Sequence, residues 1–186
     1  MSLGVFVEGD SDEKAICTLL RKLGRRSVHP GVVRRGNMFD VDKMAAHIAA
    51  LRGRHPSIER VLIFLDSECT DPDATLQETE QPQASLRKMS PVPVDYLVVD
   101  HSIEGWLLQD KALRGILGKG ATVRVKGSTE EECRPALKMR RIFRDNGKEF
   151  HKVLHNPELA KAVSAKTLEA TDPTFRRLVE LVKRAG

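Results

Sequence analysis

The sequence predicts an α/β protein built on a parallel sheet, and three observations carry that prediction. Almost unbroken apolar runs recur at 3–8 (LGVFVE), 61–65 (VLIFL) and 94–99 (VDYLVV). Stretches with apolar residues at helical spacing separate them. Each run is closed by an acid: Glu8, Asp66 or Asp100. A strand that stays apolar along its length is covered on both faces, and alternation with helices makes the sheet parallel.

Residues 3–8 form the first strand. Asp10 and Glu13, three positions apart, make an Asp-x-x-Glu capping box for the helix behind it, whose buried stripe is Ile16, Leu19, Leu20 and Leu23. Residues 28–35 make a second strand, weakened by Pro30 and Gly31, and Val41, Met44, Ala45 and Ile48 mark a second helix. After the strand at 61–65, the polar, proline-containing stretch 69–85 predicts a long loop on the rim that carries Asp66. The strand at 94–99 leads into one helix over 103–117, with Trp106 in the core. From 119 the chain is first Gly-rich and basic, then helical. The last helix is punctuated by Asp172 as cap and Pro173 at its first position, with Phe175, Leu178, Val179 and Val182 on one face. The expected organisation is an α/β core over 1–118 and a mainly helical C-terminal extension over 119–186 packed on it.

Among the 186 residues, no apolar run reaches 18 positions, and the N-terminus lacks the pattern of a secretory signal. The expectation is a cytoplasmic protein without a membrane partner. Cys17, Cys69 and Cys133 are odd in number and widely spaced, which reads as reduced thiols. The net charge of +5 is concentrated in clusters, among them Arg21, Lys22, Arg25 and Arg26, then Arg34 and Arg35, then Lys138, Arg140, Arg141 and Arg144. Such clusters fit nucleic acid. Aromatics are only 4% of the chain, so contact with backbone phosphates is expected rather than base stacking.

Loops at the carboxyl ends of parallel strands build the ligand crevice. Glu8, then Asp66 and Glu68, then Asp100 and Glu104 bring carboxylates to that edge, where their mutual repulsion calls for bound cations. Donors that are all oxygen suit Mg²⁺ or Mn²⁺. Asp66 and Glu68, two apart on extended backbone, are expected on one side. Glu8, Asp66 and Glu68 are the candidate catalytic residues. Arg34, Arg35, His101, Lys126, Arg140 and Arg141 are the candidate nucleic-acid contacts. The H-x-x-x-H pair His151 and His155 lacks the glutamate of a metalloprotease and reads as surface or phosphate contact; GKGATVRVKGST (118–129) lacks the order of a nucleotide-binding loop.

Glu8-Gly9 at the first strand end, followed by an acid pair behind a later hydrophobic strand, resembles the TOPRIM domain of topoisomerases, primases and OLD-family nucleases. VEGDSD and DHSIEGWLLQD are most similar to the small stand-alone TOPRIM proteins related to the OLD nucleases. The resemblance covers residues 3–117. It implies a Rossmann-like core with a four-stranded, mainly parallel sheet, Mg²⁺ held by Asp66 and Glu68, and cleavage or transfer of a phosphodiester, DNA ahead of RNA. It implies Glu8 as general acid/base or ligand, Asp12 and Glu104 as ligands of a second ion, and a partner ATPase. The departure is Glu68, one methylene longer than the aspartate usual there. Two other readings are a TOPRIM-fold nucleic-acid-binding module without catalysis and a receiver-like phosphoacceptor domain using Asp66 and Lys126.

Overall fold

The computed structural model describes residues 2–183. Four strands, β1 (Ser2–Val7), β2 (Ser27–Val32), β3 (Ile58–Asp66) and β4 (Val94–Val99), form one sheet in the order β2-β1-β3-β4. Every pairing is parallel, as the apolar runs predict. All residues of β1 and β4 are buried. β2 tolerates Pro30 because it is an edge strand, with one side free of ladder hydrogen bonds.

Chain order fixes where a ligand can sit. From β1 the chain crosses to β2 on one side, and β3 then pairs with β1 on the other. Connections leave in opposite directions at the β1/β3 boundary, so a crevice opens outside its carboxyl ends. Glu8 follows β1 there, and Asp66 ends β3.

Helices cover both faces. On one side α2 (Arg35–Met38), α3 (Val41–Arg54) and α4 (Pro72–Met89) bury Met38, Met44, Ile48, Leu51 and Leu86 against Phe6, Ile63, Leu65 and Tyr96. On the other lie α1 (Asp10–Lys22), α5 (Ile103–Leu107), α6 (Asp110–Leu117), α8 (Pro135–Asp145), α9 (Lys152–Ala162), α10 (Ala165–Thr171) and α11 (Pro173–Lys183), with the short α7 (Thr129–Cys133) between α6 and α8. Leu3, Val5 and Val7 enter this second core, which runs without a break to Val182. Trp106 packs edge-on against Phe175, 5.1 Å between ring centres. Two basic residues of the first cluster are structural: Lys22 Nζ donates to the carbonyls of Lys161 and Val163, and Arg25 Nη2 to that of Val182, capping α9 and α11. Among the described residues, no helix is long and apolar enough to cross a membrane.

The structure corrects four sequence expectations. Residues 72–89 are helix, not loop: Asp71 caps the first turn, Pro72 needs no helical N–H partner, and Thr75, Thr79 and Leu86 form a buried stripe written largely in polar residues. Side chains of α4 also serve the exposed edge of β4, where Gln83 Oε1 accepts from Tyr96 N–H and Arg87 Nε donates to Val94 O. The expected capping box is absent, because Gly9 is the N-cap and Asp10 already lies within α1. The expected helix over 103–117 breaks at Leu108 and Gln109 into α5 and α6. Finally, Cys69 and Cys133 are joined in a disulfide with 4.8 Å between Cα atoms; only Cys17 stays a free, buried thiol among the described residues.

Candidate functional site

Local backbone at the carboxyl edge aims the acids. Gly9 is extended, so α1 begins at Asp10 and holds Asp12 in its first turn above the end of β1, where the helix dipole favours negative charge. Beyond Asp66 the chain turns sharply. Ser67 is fully buried; its N–H donates to Val99 O, and its Oγ accepts from His101 N–H at 2.8 Å. Glu68 and His101 take φ values of 53° and 58°, left-handed backbone that non-glycine residues adopt at a cost. They brace each other: Glu68 N–H donates to His101 O at 2.7 Å, and His101 Nδ1 lies 2.7 Å from Glu68 O. Among the described residues these are the only non-glycine positions of that kind, and both line one cavity; strain held in place beside a pocket is a mark of functional sites.

That cavity has a volume of about 330 Å³, and Asp66, Glu68, His101, Glu104, Arg140 and Lys152 are among its lining. Glu68 reaches it by the turn rather than by alternation along a strand, since β3 has already ended. The acids feel one another. Burial, then the charges of Asp12, Glu104 and Glu8, hold the Asp66 carboxyl well above the usual range. Burial and the charge of Glu104 push Asp12 up to about 6, against the pull of Lys152. Burial raises Glu8, with Glu68 and Asp12 adding to it, although Arg35 opposes. Carboxylates from the ends of β1 and β3 and from the starts of α1 and α5 are therefore close enough to feel one another's charge. Asp100 does not line this cavity; its Oδ1 lies 3.6 Å from His101 Nδ1.

Glu104 stands differently. Its side chain is fully buried, Oε1 accepting from Lys152 Nζ and Asn156 Nδ2, both at 2.9 Å, and Oε2 from Ser102 Oγ at 2.8 Å. Burial favours its neutral form, but Lys152 and these hydrogen bonds outweigh burial and keep Glu104 below the usual range. Lys152 and Asn156 begin and line α9, Asn156 standing 52 residues beyond the Glu104 they both bind, and no local motif announces them.

The predicted basic contacts separate into three groups. Arg35 sits in the site, donating to the Asp66 carbonyl at 2.5 Å and lying 3.8 Å from Glu8 Oε1. Arg140 and His101 line the cavity. Arg34 and Lys126 are exposed, and Lys126 does not line it. Arg141 is committed to structure: its Nε donates to both carboxylate oxygens of Glu131, and its Nη2 to the carbonyls of Arg124 and Lys126. His155 Nδ1 faces the backbone of His151 and the ring packs on Phe143 and Phe150, so the H-x-x-x-H pair is tied into the fold.

Whether the acids fit a divalent ion is answered by donor chemistry and by one orphaned atom. Glu8 Oε1 is buried without a hydrogen-bond partner. Arg35, 3.8 Å away, offsets only part of the cost of burying it, and a closer cation would relieve the rest. Glu8, Asp12, Asp66 and Glu68 offer the hard oxygens that Mg²⁺ and Mn²⁺ prefer. Among the described residues no three such side chains already stand in ligating geometry, so loading requires side-chain rotation. The Cys69–Cys133 disulfide lies beside the cavity, tying the residue after Glu68 to the end of α7.

No curated protein matches the chain, and no solved structure does. One family model matches residues 7–183, a span that takes in every acid of the rim together with Lys152 and Asn156. The chain therefore belongs to the family described as a domain of unknown function, DUF4276.

Proposed function

We propose that the protein is a Mg²⁺- or Mn²⁺-dependent nuclease, or a related phosphodiester phosphotransfer enzyme, of TOPRIM type acting on nucleic acid, DNA ahead of RNA. One observation carries the reading: carboxylates from separate segments crowd the switch point of a parallel sheet, and a buried Glu8 oxygen there has no hydrogen-bond partner, with only Arg35 near it at 3.8 Å. Asp66, Glu68 and Glu8 would hold one ion, and Asp12 with Glu104 a second. Bound divalent ions supply charge neutralisation for nonbridging oxygens and activation of water. Where Glu8 is not itself a ligand, it would take a proton from the attacking water and return one to the leaving oxygen. Arg35 and Lys152 hold positive charge at the edges of the acid group, where they orient the phosphate. We place the protein in the cytoplasm, and by its resemblance to OLD-family nucleases expect a partner ATPase.

The test is nicking of supercoiled plasmid and cleavage of labelled oligonucleotides with Mg²⁺, with Mn²⁺ and with EDTA. Metal-dependent cleavage that falls about 100-fold or more in Asp66→Asn and Glu8→Gln is expected, a typical loss for one catalytic group. Wild-type rates in EDTA, or full activity in Asp66→Asn, would remove the proposal.

A second reading, a nucleic-acid-binding module without catalysis, is favoured by Glu104, whose oxygens are already taken by Lys152, Asn156 and Ser102. It expects binding that EDTA does not change and no cleavage with either ion.

A further inference from the structure

A second cavity, of about 890 Å³, opens beside the acid site and shares Arg140 and Lys152 with it, so the two lie next to each other. Its wall is strongly basic. Arg140 and Arg144 stand one turn apart on α8 and present the same face. Lys148 follows the helix end, its ammonium held by the neutral carbonyls of Ile116 and Leu117. The cations next to them on α8 are spent on structure: Lys138 is buried against Glu132 at 2.8 Å, and Arg141 against Glu131. Among the described residues neither Arg140 nor Arg144 has a carboxylate partner. The one acid lining this second cavity among the described residues, Glu149, lies 3.4 Å from His151 Nε2.

An apolar strip runs beside this charge. Val153 and Leu154 line the groove and are 51% and 65% exposed, an unusual solvent exposure for adjacent large aliphatic residues. Two guanidinium groups without carboxylate partners, beside exposed aliphatic side chains and next to an acid pocket, match the chemistry of one polymer: a nucleic-acid strand with phosphates on one side and sugars and bases on the other.

We propose that this groove is the track for the nucleic-acid strand that flanks the phosphate held at the acid site. Arg140, Arg144 and Lys148 grip successive phosphates, and Val153 and Leu154 carry the sugar or base edges. The proposal rests on the nuclease reading for its direction, but its test does not need cleavage.

Binding of fluorescent single-stranded and duplex 20-mers is followed by anisotropy in EDTA across a salt series. Three proteins are compared: wild type, Arg140→Glu/Arg144→Glu, and Arg26→Glu/Arg54→Glu. The last makes the same charge change at the opposite, amino-terminal edge of the sheet, where both arginines are exposed. Circular dichroism and melting confirm that each variant folds. The expected result is affinity about tenfold or more weaker in the groove variant, with a slope of log K on log salt shallower by about two, roughly one per phosphate contact. The control pair should change neither by as much. Groove-variant binding equal to wild type, or loss no greater than in the control, overturns the track. If the groove variant loses affinity while no protein cleaves with Mg²⁺ or Mn²⁺, the track stands and the nuclease reading fails. If cleavage depends on Asp66 but the groove variant binds normally, the reverse holds.

Discussion

Replacing Asp12 with asparagine removes a charge that the fold holds at a cost, so the variant is predicted to be more stable than the wild type without divalent ions. Asp12 titrates at about 6 instead of 3.8 because of burial and Glu104. A rise of about two units corresponds to about 3 kcal/mol of penalty on the ionised form. Against it stands the favourable helix dipole at the start of α1, about 0.3–1 kcal/mol. Residual solvent access lowers the first figure further, leaving about 1–2 kcal/mol in favour of the Asp12→Asn protein. For a chain of this size that is a melting-temperature gain of about 2–8 °C. The sign with pH follows from the raised folded value. Below the unfolded value of 3.8 both states hold the proton and no penalty exists; it builds as pH rises towards about 6 and is complete above that. Differential scanning calorimetry in EDTA near pH 8, 6 and 4 reads both predictions. Mg²⁺ should narrow the gap, because the cation relieves the same repulsion in the wild type. An Asp12→Asn protein no more stable than wild type at pH 8, or a gain of equal size at pH 4, refutes the reasoning.

Other predictions concern the supports of the site. Lys152→Met leaves buried Glu104 without its cation and should cost about 2–4 kcal/mol by urea unfolding, and Glu104→Gln in the same chain should recover much of the loss. Equal destabilisation in the double variant would mean that Lys152 acts through packing alone. Reducing the Cys69–Cys133 bridge releases a constraint across 64 residues of sequence and should lower the melting temperature by about 5–15 °C, from about 2–4 kcal/mol in the unfolded-state account; an unchanged melt in dithiothreitol, with thiols shown free by labelling, contradicts it. Gly31→Ala places a methyl group 2.6 Å from Cε1 of buried Phe6, its register partner across β1 and β2, and should cost about 1–3 kcal/mol. A neutral melt for that variant would show that the Phe6 ring moves aside freely.

Much of the architecture could be read from residue pattern. The runs that became β1, β3 and β4 are apolar because both sheet faces are covered, and their acidic closings fall at the switch point because parallel connection leaves them no other edge. Pro173 and Asp172 announced α11 through ordinary capping chemistry. α4 was hidden for a physical reason: its buried face uses Thr75 and Thr79, and Pro82 lies inside it, so hydropathy and proline both argued for a loop. Left-handed backbone at Glu68 and His101 is imposed by the hydrogen bonds between the ends of β3 and β4, which no local pattern encodes. The disulfide was missed because three cysteines give no framework to count. In sequence, Arg35, Arg140 and Arg144 stand out only as members of basic clusters, and Lys152 not at all. Only the packing of α9, α2 and α8 around the acid edge separates them from Lys138 and Arg141, whose charge is consumed within the fold.

The proposed ion site lies at the carboxyl edge between β1 and β3, where Glu8 and Asp66 would bind divalent cations. Crystals soaked in Mn²⁺ and measured at a wavelength where manganese scatters anomalously test it most directly. An anomalous peak is expected about 2 Å from carboxylate oxygens of Asp66 and Glu8, lost in Asp66→Asn crystals. An edge free of manganese at saturating Mn²⁺, with both carboxylates left as they are, would contradict it.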